Sequence, residues 1–350
     1  NKLAQLDHRK DESLVISGVK HQLNLGKKSC ISKSKAPYRA KAQSKAFTDA
    51  YLPQLRALHS PLANGYDRTA MCTHTMTQRG SKVTSEYCKQ RWCNGCSRIM
   101  TAHLMNGYGQ ELSEFKNPQF LTLTIPNVGG KSLRTSIENM VLSFIKIKRR
   151  IERRNEIKIK GIRKIESTFS PQRRDFHPHF HLIIEGKENA EMLLKEWLID
   201  NPKASIKGQN IKEANTKSMN ELFKYFAKMV NGSTFYAKAM DTIFQSVRGK
   251  RVVQSFGMKK QVDEDYIDIK AQDQIHLGIK DDKFTYIADY KDWVSESGEV
   301  LADYTETESI KRYNKEVSES SKRLNLGIKE RVRLNWGQYP TIEPISNLIF

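Results

Sequence analysis

Three histidines alternate along Phe176-His177-Pro178-His179-Phe180-His181-Leu182-Ile183-Ile184. Successive side chains of a strand point to opposite faces, so His177, His179 and His181 share one face and Phe180, Leu182 and Ile184 the other. Two imidazoles at i and i+2 converge on a single ion, which makes His179 and His181 the expected metal ligands. His177, beyond the proline, stands apart from that pair. A second group, Cys72-x15-Cys88-x4-Cys93-x2-Cys96, offers four thiolates, enough for a tetrahedral structural zinc. The competing reading is four free buried thiols. Lys89, Arg91, Trp92 and Arg98 around the cluster would suit contact with DNA.

The elements that must position the histidines follow from apolar periodicity. A strand is expected at 120–125, closed by Pro126. A helix follows at about 132–155, with Ile137, Val141, Phe144 and Ile151 at helical spacing, then strands at 162–169 and 176–184. A second helix is expected at about 219–230, striped by Met219, Leu222, Phe223, Phe226 and Val230. Parity places Leu121, Leu123, Ile125, Ile165 and Phe169 on one side of a sheet. Thr122, Thr124, Glu166 and Thr168 fall on the other, with the histidines. Glu166 is therefore the third expected ligand; alternatively it is an exposed strand carboxylate paired with Lys164. The fold class is α+β: a central antiparallel sheet with helices on one face, preceded by a Cys-rich segment and followed by an α/β C-terminal region.

The 350 residues carry 59 Lys and Arg against 39 Asp and Glu, a net charge of +20. A surface so basic self-repels unless it meets a polyanion, of which nucleic acid is the commonest. With 38% hydrophobic residues the chain is neither wholly disordered nor membrane-embedded, and no apolar run nears the roughly 18 residues of a spanning helix. No secretory h-region is seen at the N-terminus, so a bacterial cytoplasmic location without membrane partners is expected. Four of five cysteines packed together agree with a reducing compartment. Charge divides the chain into a basic, partly flexible segment 1–65, a Cys-rich zinc-binding segment 66–110, a catalytic region 111–260 and an acidic region 261–350. The basic helix, through Lys148, Arg149, Arg150, Arg153 and Arg154, is expected to hold a phosphate backbone; its bland reading is a solvated charged face.

His179-Phe180-His181-Leu182-Ile183-Ile184 resembles the His–hydrophobic–His strand of the HUH endonucleases. Residues 120–128 (Phe-Leu-Thr-Leu-Thr-Ile-Pro-Asn-Val) resemble the first motif of single-tyrosine rolling-circle plasmid replication initiators. Residues 221–228 (Glu-Leu-Phe-Lys-Tyr-Phe-Ala-Lys) resemble their third, and 249–257 a stretch they carry further on. The likeness covers roughly residues 70–260. It implies a metal-dependent single-strand endonuclease and strand transferase that nicks one strand at a plasmid origin, forms a 5′-phosphotyrosyl adduct and frees a 3′-hydroxyl primer. It also implies Mn²⁺ or Mg²⁺ at the active site, and origin DNA, single-stranded or in a hairpin or cruciform, as partner. A host helicase or polymerase, or a second protomer, are further partners to expect.

Within that resemblance Tyr225 is the nucleophile. It lies about 100° from the apolar stripe on the helical wheel, one turn from Glu221. A phenol at its ordinary pKa of about 10 needs help, and Lys224 and Lys228 are placed to offset phenolate or phosphate charge. Glu221 has two readings. It activates water in a second cleavage, as the resemblance implies, or it closes a capping box Ser218-Met219-Asn220-Glu221. Transposases and conjugative relaxases share the same chemistry, and a non-enzymatic zinc DNA-binding protein is the alternative from another class. A cupin-like or iron site, suggested by His179-x-His181-x3-Glu185, explains neither the charge nor the tyrosine.

Overall fold

The computed structural model describes residues 14–16, 19–21, 35–79, 82–223, 236–258 and 282–306, with isolated positions 308, 311 and 315. In chain order the elements are β1 (Leu14–Ile16), β2 (Val19–His21), α1 (Ala36–Arg56), α2 (Ala63–Ala70), β3 (Thr75–Arg79), β4 (Lys82–Ser85), α3 (Asn94–Ser113) and β5 (Gln119–Thr124). They continue with α4 (Gly130–Asn155), β6 (Gly161–Ser170), β7 (Asp175–Ile184), α5 (Lys187–Asp200), β8 (Asn210–Glu213) and α6 (Thr216–Phe223). Last come α7 (Ala237–Ser246), β9 (Val253–Phe256), β10 (Asp282–Ile287) and β11 (Asp292–Ser295). The class is α+β with antiparallel sheets, as expected. Two compact units form: one from residues 1–43, 73–86 and 276–305, the other from 44–72, 87–275 and 306–350.

The second unit holds a five-stranded sheet ordered β8-β5-β7-β6-β9, antiparallel throughout. Its parity is the expected one. Leu121, Leu123, Ile165, Phe180 and Leu182 are buried against α4, whose Leu133, Ile137, Met140, Phe144, Ile147 and Ile151 repeat at three- and four-residue steps. Each such side chain gains roughly 1.5–3 kcal/mol on burial. A one-residue slip would exchange Leu121 and Leu123 for Thr122 and Thr124, so the register is strongly held. α5 and α7 complete this layer, and Trp197 of α5 donates its indole N–H to Thr124 O at 2.9 Å.

The opposite face departs from the expectation of an open polar surface. At one end Phe120, Ile162 and Ile183 project there, covered by Leu112 of α3, Phe115 just after it, and Leu222 and Phe223 of α6. Helices thus lie on both faces of the sheet. The polar pocket is what remains uncapped by this smaller cluster.

The other unit contains a four-stranded antiparallel sheet ordered β11-β10-β3-β4. Its core is Ala42, Met76, Phe284, Tyr286, Trp293, Leu301 and Ala302. Trp293 is fully buried and donates to Thr73 O at 2.7 Å.

Candidate metal centres

β7 is the middle strand, and its pairing composes the first centre. Thr122 and Thr124 of β5 stand opposite His181 and His179; Lys164 and Glu166 of β6 stand opposite the same two histidines on the other side. One donor atom from each of Glu166, His179 and His181 lies within 4.8 Å of the others. The Glu166 carboxylate oxygens are 4.0 Å from His179 Nε2 and 3.8 Å from His181 Nε2. Neighbouring ligands on an octahedral ion at about 2.1 Å are about 3 Å apart, so small side-chain rotations close the set on one cation.

Hydrogen bonds on the far nitrogens orient both rings. His179 Nδ1 donates to His177 O at 3.0 Å, since a carbonyl can only accept; Nε2 is the nitrogen turned toward Glu166. His181 Nδ1 lies 3.2 Å from Thr122 Oγ1, and its ring stacks on Phe120. His177 is not among the converging donors. Its Nδ1 meets Asn127 Oδ1 at 2.8 Å, while Asn127 Nδ2 donates to Asp175. His177 therefore steadies the strand that carries the other two.

Glu166 is neither exposed nor merely paired: its side chain is 11% accessible, and Lys164 Nζ lies 2.9 Å away. The pairing with Lys164 is present and the expected exposure is not. Burial pushes its pKa up, but Lys164, His179 and His181 outweigh that and hold it at about 2. His181 is pushed down to about 4 by burial and by the charges of His179 and Lys164, against Glu166 and Glu221. An ionised carboxylate beside a neutral imidazole is the protonation state that metal ligation requires.

α6 brings Glu221 close enough for His181 to feel its charge. The helix is capped one turn earlier than the Ser218–Glu221 box: Ser218 N–H donates to Asn215 Oδ1 at 3.0 Å, and Asn215 N–H to Ser218 Oγ at 3.3 Å. The reciprocal pair is thus Asn215 and Ser218, and Glu221 sits past the cap, on the side of the centre. Tyr225, Lys224 and Lys228 lie outside the described residues.

The four cysteines form the second centre. Sγ–Sγ distances of 3.6 Å join Cys72 to Cys96, Cys88 to Cys96 and Cys93 to Cys72. A disulfide needs about 2.05 Å, whereas thiolates at 2.3 Å from a tetrahedral zinc are about 3.8 Å apart. Three of the four are buried. Cys93 and Cys96 flank the start of α3, and the Cys88 N–H donates to Cys72 Sγ. The surroundings are more structural than expected. Trp92 is buried and donates to Thr69 Oγ1, and Arg91 donates to the carbonyls of Val247 and Lys250.

Much of the basic end of α4 is likewise engaged. Arg150 pairs with Glu196 at 2.5 Å and Asp200 at 2.8 Å, Arg154 with Glu196 at 3.0 Å, and Lys148 with Glu152 at 2.6 Å. Arg149 and Arg153 are exposed.

The family model described as replication protein matches residues 81–190. The protein rep of Staphylococcus aureus is 31% identical over 163 residues, 40% of this chain and 69% of that protein. The chain belongs to the replication-protein family. Its kinship with plasmid replication initiators, read from three motifs, is borne out at that level. Other relatives are the protein rep of Streptococcus pneumoniae, 28% identical over 109 residues (29% of this chain), and that of Bacillus amyloliquefaciens, 28% over 119 residues (32% of this chain). The chain spans about a third of the length of each, 34% in both cases. No solved structure matches it. The family match takes in Cys88, Cys93, Cys96, Glu166, His179 and His181 and ends before α6. Among the described residues no helix is long and apolar enough to cross a membrane.

Lys164 and Asn127 were not singled out as site residues by sequence reasoning. Lys164 shares the parity of Glu166 and was therefore visible in principle; the Asn127–His177 contact joins the loop after β5 to β7, with no local signal.

Proposed function

We propose that this replication protein initiates rolling-circle replication of a plasmid, as an HUH-type endonuclease that nicks one origin strand by tyrosine transesterification. The observation that carries the reading is the convergence of Glu166, His179 and His181 on one face of the sheet, in a chain of this family. One carboxylate and two imidazoles leave room for phosphate oxygens and suit Mn²⁺ or Mg²⁺. A cation held there supplies Lewis-acid polarisation of the scissile phosphodiester.

The chain's own residues do the rest. The phenolic oxygen of Tyr225 attacks phosphorus, its proton passing to water or a neighbouring base. The bond from phosphorus to O3′ breaks, O3′ takes up a proton, and the protein keeps the 5′ phosphate as a phosphotyrosine. Lys224 and Lys228 offset the charge on phenolate and phosphate. Lys164 keeps Glu166 ionised. Glu221 serves the second cleavage, as a base for water. The phosphotyrosyl bond conserves the energy of the broken phosphodiester, so the strand is rejoined after one round without ATP. The cysteine centre holds zinc and fixes α3 against the α2 end. Origin DNA, single-stranded or extruded as a hairpin, is the partner, in the bacterial cytoplasm. The acidic C-terminal region docks a host helicase or a second protomer. Transposition and mobilisation use the same chemistry, but the family relatives favour replication.

Single strands tiled across the plasmid, labelled at either end, test this with Mn²⁺ present. The expected product carries a 3′ end that a polymerase extends and a 5′ end that migrates with protein in SDS, and Tyr225→Phe abolishes it. A cut that leaves a free 5′ phosphate, or none with any tile, contradicts the proposal.

A further inference from the structure

Resting on the reading above that the substrate is DNA, we infer that a groove at the N-terminal end of α4 holds the backbone of the origin strand flanking the scissile phosphate. This assigns the phosphate contacts to the opposite end of α4 from the expected one. The groove has a volume of about 760 Å³ and is lined by Lys131, Arg134, Arg174, Lys238 and Arg248. No carboxylate is among its described lining residues. All five cations are exposed. They come from four places in the chain: the start of α4, the β6–β7 turn, the start of α7 and the turn after it. So dense a convergence of one sign raises the local potential for a polyanion.

Three further observations favour this end of α4. Arg134 NH1 donates to Gln245 O at 3.0 Å and Arg248 O at 3.4 Å, and Arg248 NH1 donates to Pro61 O at 3.5 Å, so both guanidinium groups are held at the wall. The first turn of α4 lines the groove at Gly130, which adds the positive end of a 26-residue helix to the side-chain charge. At the other end of α4 three cations, Lys148, Arg150 and Arg154, are committed to Glu152, Glu196 and Asp200; in the groove Arg134 Nε also pairs with Glu138 Oε1, at 3.3 Å.

Position relative to the metal centre completes the case. Phe176 of β7 lines the groove and lies three residues from His179, about 10 Å at 3.4 Å per strand residue. The two sites share the hairpin end of one strand but use opposite faces, since Phe176 and His179 differ in parity. A DNA strand with one phosphodiester at the centre reaches the groove by passing over that edge with its next few nucleotides.

The test is salt-dependent binding of a single-stranded origin oligonucleotide by full-length protein. Lys131→Gln, Arg174→Gln and Lys238→Gln are combined, and Arg134 and Arg248, which also brace backbone, are kept. Three lost phosphate contacts should lower the slope of log K against log salt by about 2 and weaken binding about tenfold or more at physiological salt. Arg174→Gln alone, checked for an unchanged melting temperature, should give about a third of the slope change. The same charge removed at and just beyond the other end of α4, by Arg149→Gln, Arg153→Gln and Lys158→Gln, should change the slope much less. A wild-type slope in the groove variant, or the larger loss in the second set, overturns the assignment while leaving DNA binding intact. Absence of DNA binding by the wild type overturns the functional reading itself.

Discussion

Ligation needs a neutral imidazole and an ionised carboxylate, and at the centre on β7 both are arranged by neighbours. With the folded pKa of His181 near 4, below its ordinary 6.5, the unfolded chain binds more protons between those values. His181 therefore contributes stability that is fully present above about pH 6.5 and is lost as pH falls towards 4. In protein dialysed free of Mn²⁺ and Mg²⁺, melting temperature should decline over that window, and His181→Gln should flatten the decline. An unchanged pH profile in the variant would place the acid sensitivity elsewhere. Glu221 gives a second residue-scale prediction. Because Asn215 and Ser218 form the cap, Asn215→Ala should cost about 1 kcal/mol of stability. Glu221→Ala should stay within about 0.5 kcal/mol in denaturant unfolding yet lose the second cleavage. The reverse pattern would return Glu221 to a capping role. Strand alternation was enough to foresee Glu166, His179 and His181 from the sequence. It could not foresee the cap, because Asn215 and Ser218 compete with Ser218 and Glu221 for the same motif and only the helix start decides.

Among the elements, α4 shows why charge runs mislead. Read along the chain, Arg134 to Lys164 is one basic stretch; in the structure it is divided between solvent, α5 and the core. Arg163 turns inward, between the rings of Phe144 and Phe180 at 5.3 and 4.8 Å, and donates to Gln254 Oε1. Burial lowers its pKa to about 10. Lys164, its neighbour, points to Glu166 and pairs with it at 2.9 Å. The pairs of Arg150 and Arg154 with Glu196 tie α4 to α5, and the Glu196 side chain is only 12% accessible. Glu196→Gln should therefore destabilise the protein by about 1–2 kcal/mol, more than a surface pair is worth. It should leave the salt dependence of DNA binding unaltered. No loss in chemical unfolding would reduce these pairs to solvated contacts. The positions of β5, α4, β6 and β7 were legible because each carries its own periodicity. The edge strands β8 and β9, four residues each, are too short to show one.

At the scale of the whole molecule, pairing across great sequence distance is what a local reading misses. β3 and β10 place Met76 opposite Phe284, and neither strand alone announces the other. The Cys-rich segment was legible for the opposite reason: thiol spacing is a local signal with few other uses. Its centre joins Cys72, from one stretch of chain, to Cys88, Cys93 and Cys96, from another, so zinc there would act as a fold-stabilising cross-link. Cys93→Ser should abolish stoichiometric zinc and lower the melting temperature by about 10 °C, the equivalent of several kcal/mol in a domain of this size. A zinc-free wild type of equal stability would remove the metal from the fold.

The most direct measurement of the central claim is Mn²⁺ binding to the zinc-loaded protein, followed by electron paramagnetic resonance of the free ion. One site per chain is predicted for the wild type. His179→Ala should lose that site and metal-dependent nicking together, while its zinc content and melting temperature stay unchanged. Retention of the Mn²⁺ site in His179→Ala, or nicking undiminished without it, would contradict the assignment of Glu166, His179 and His181 as the catalytic metal centre.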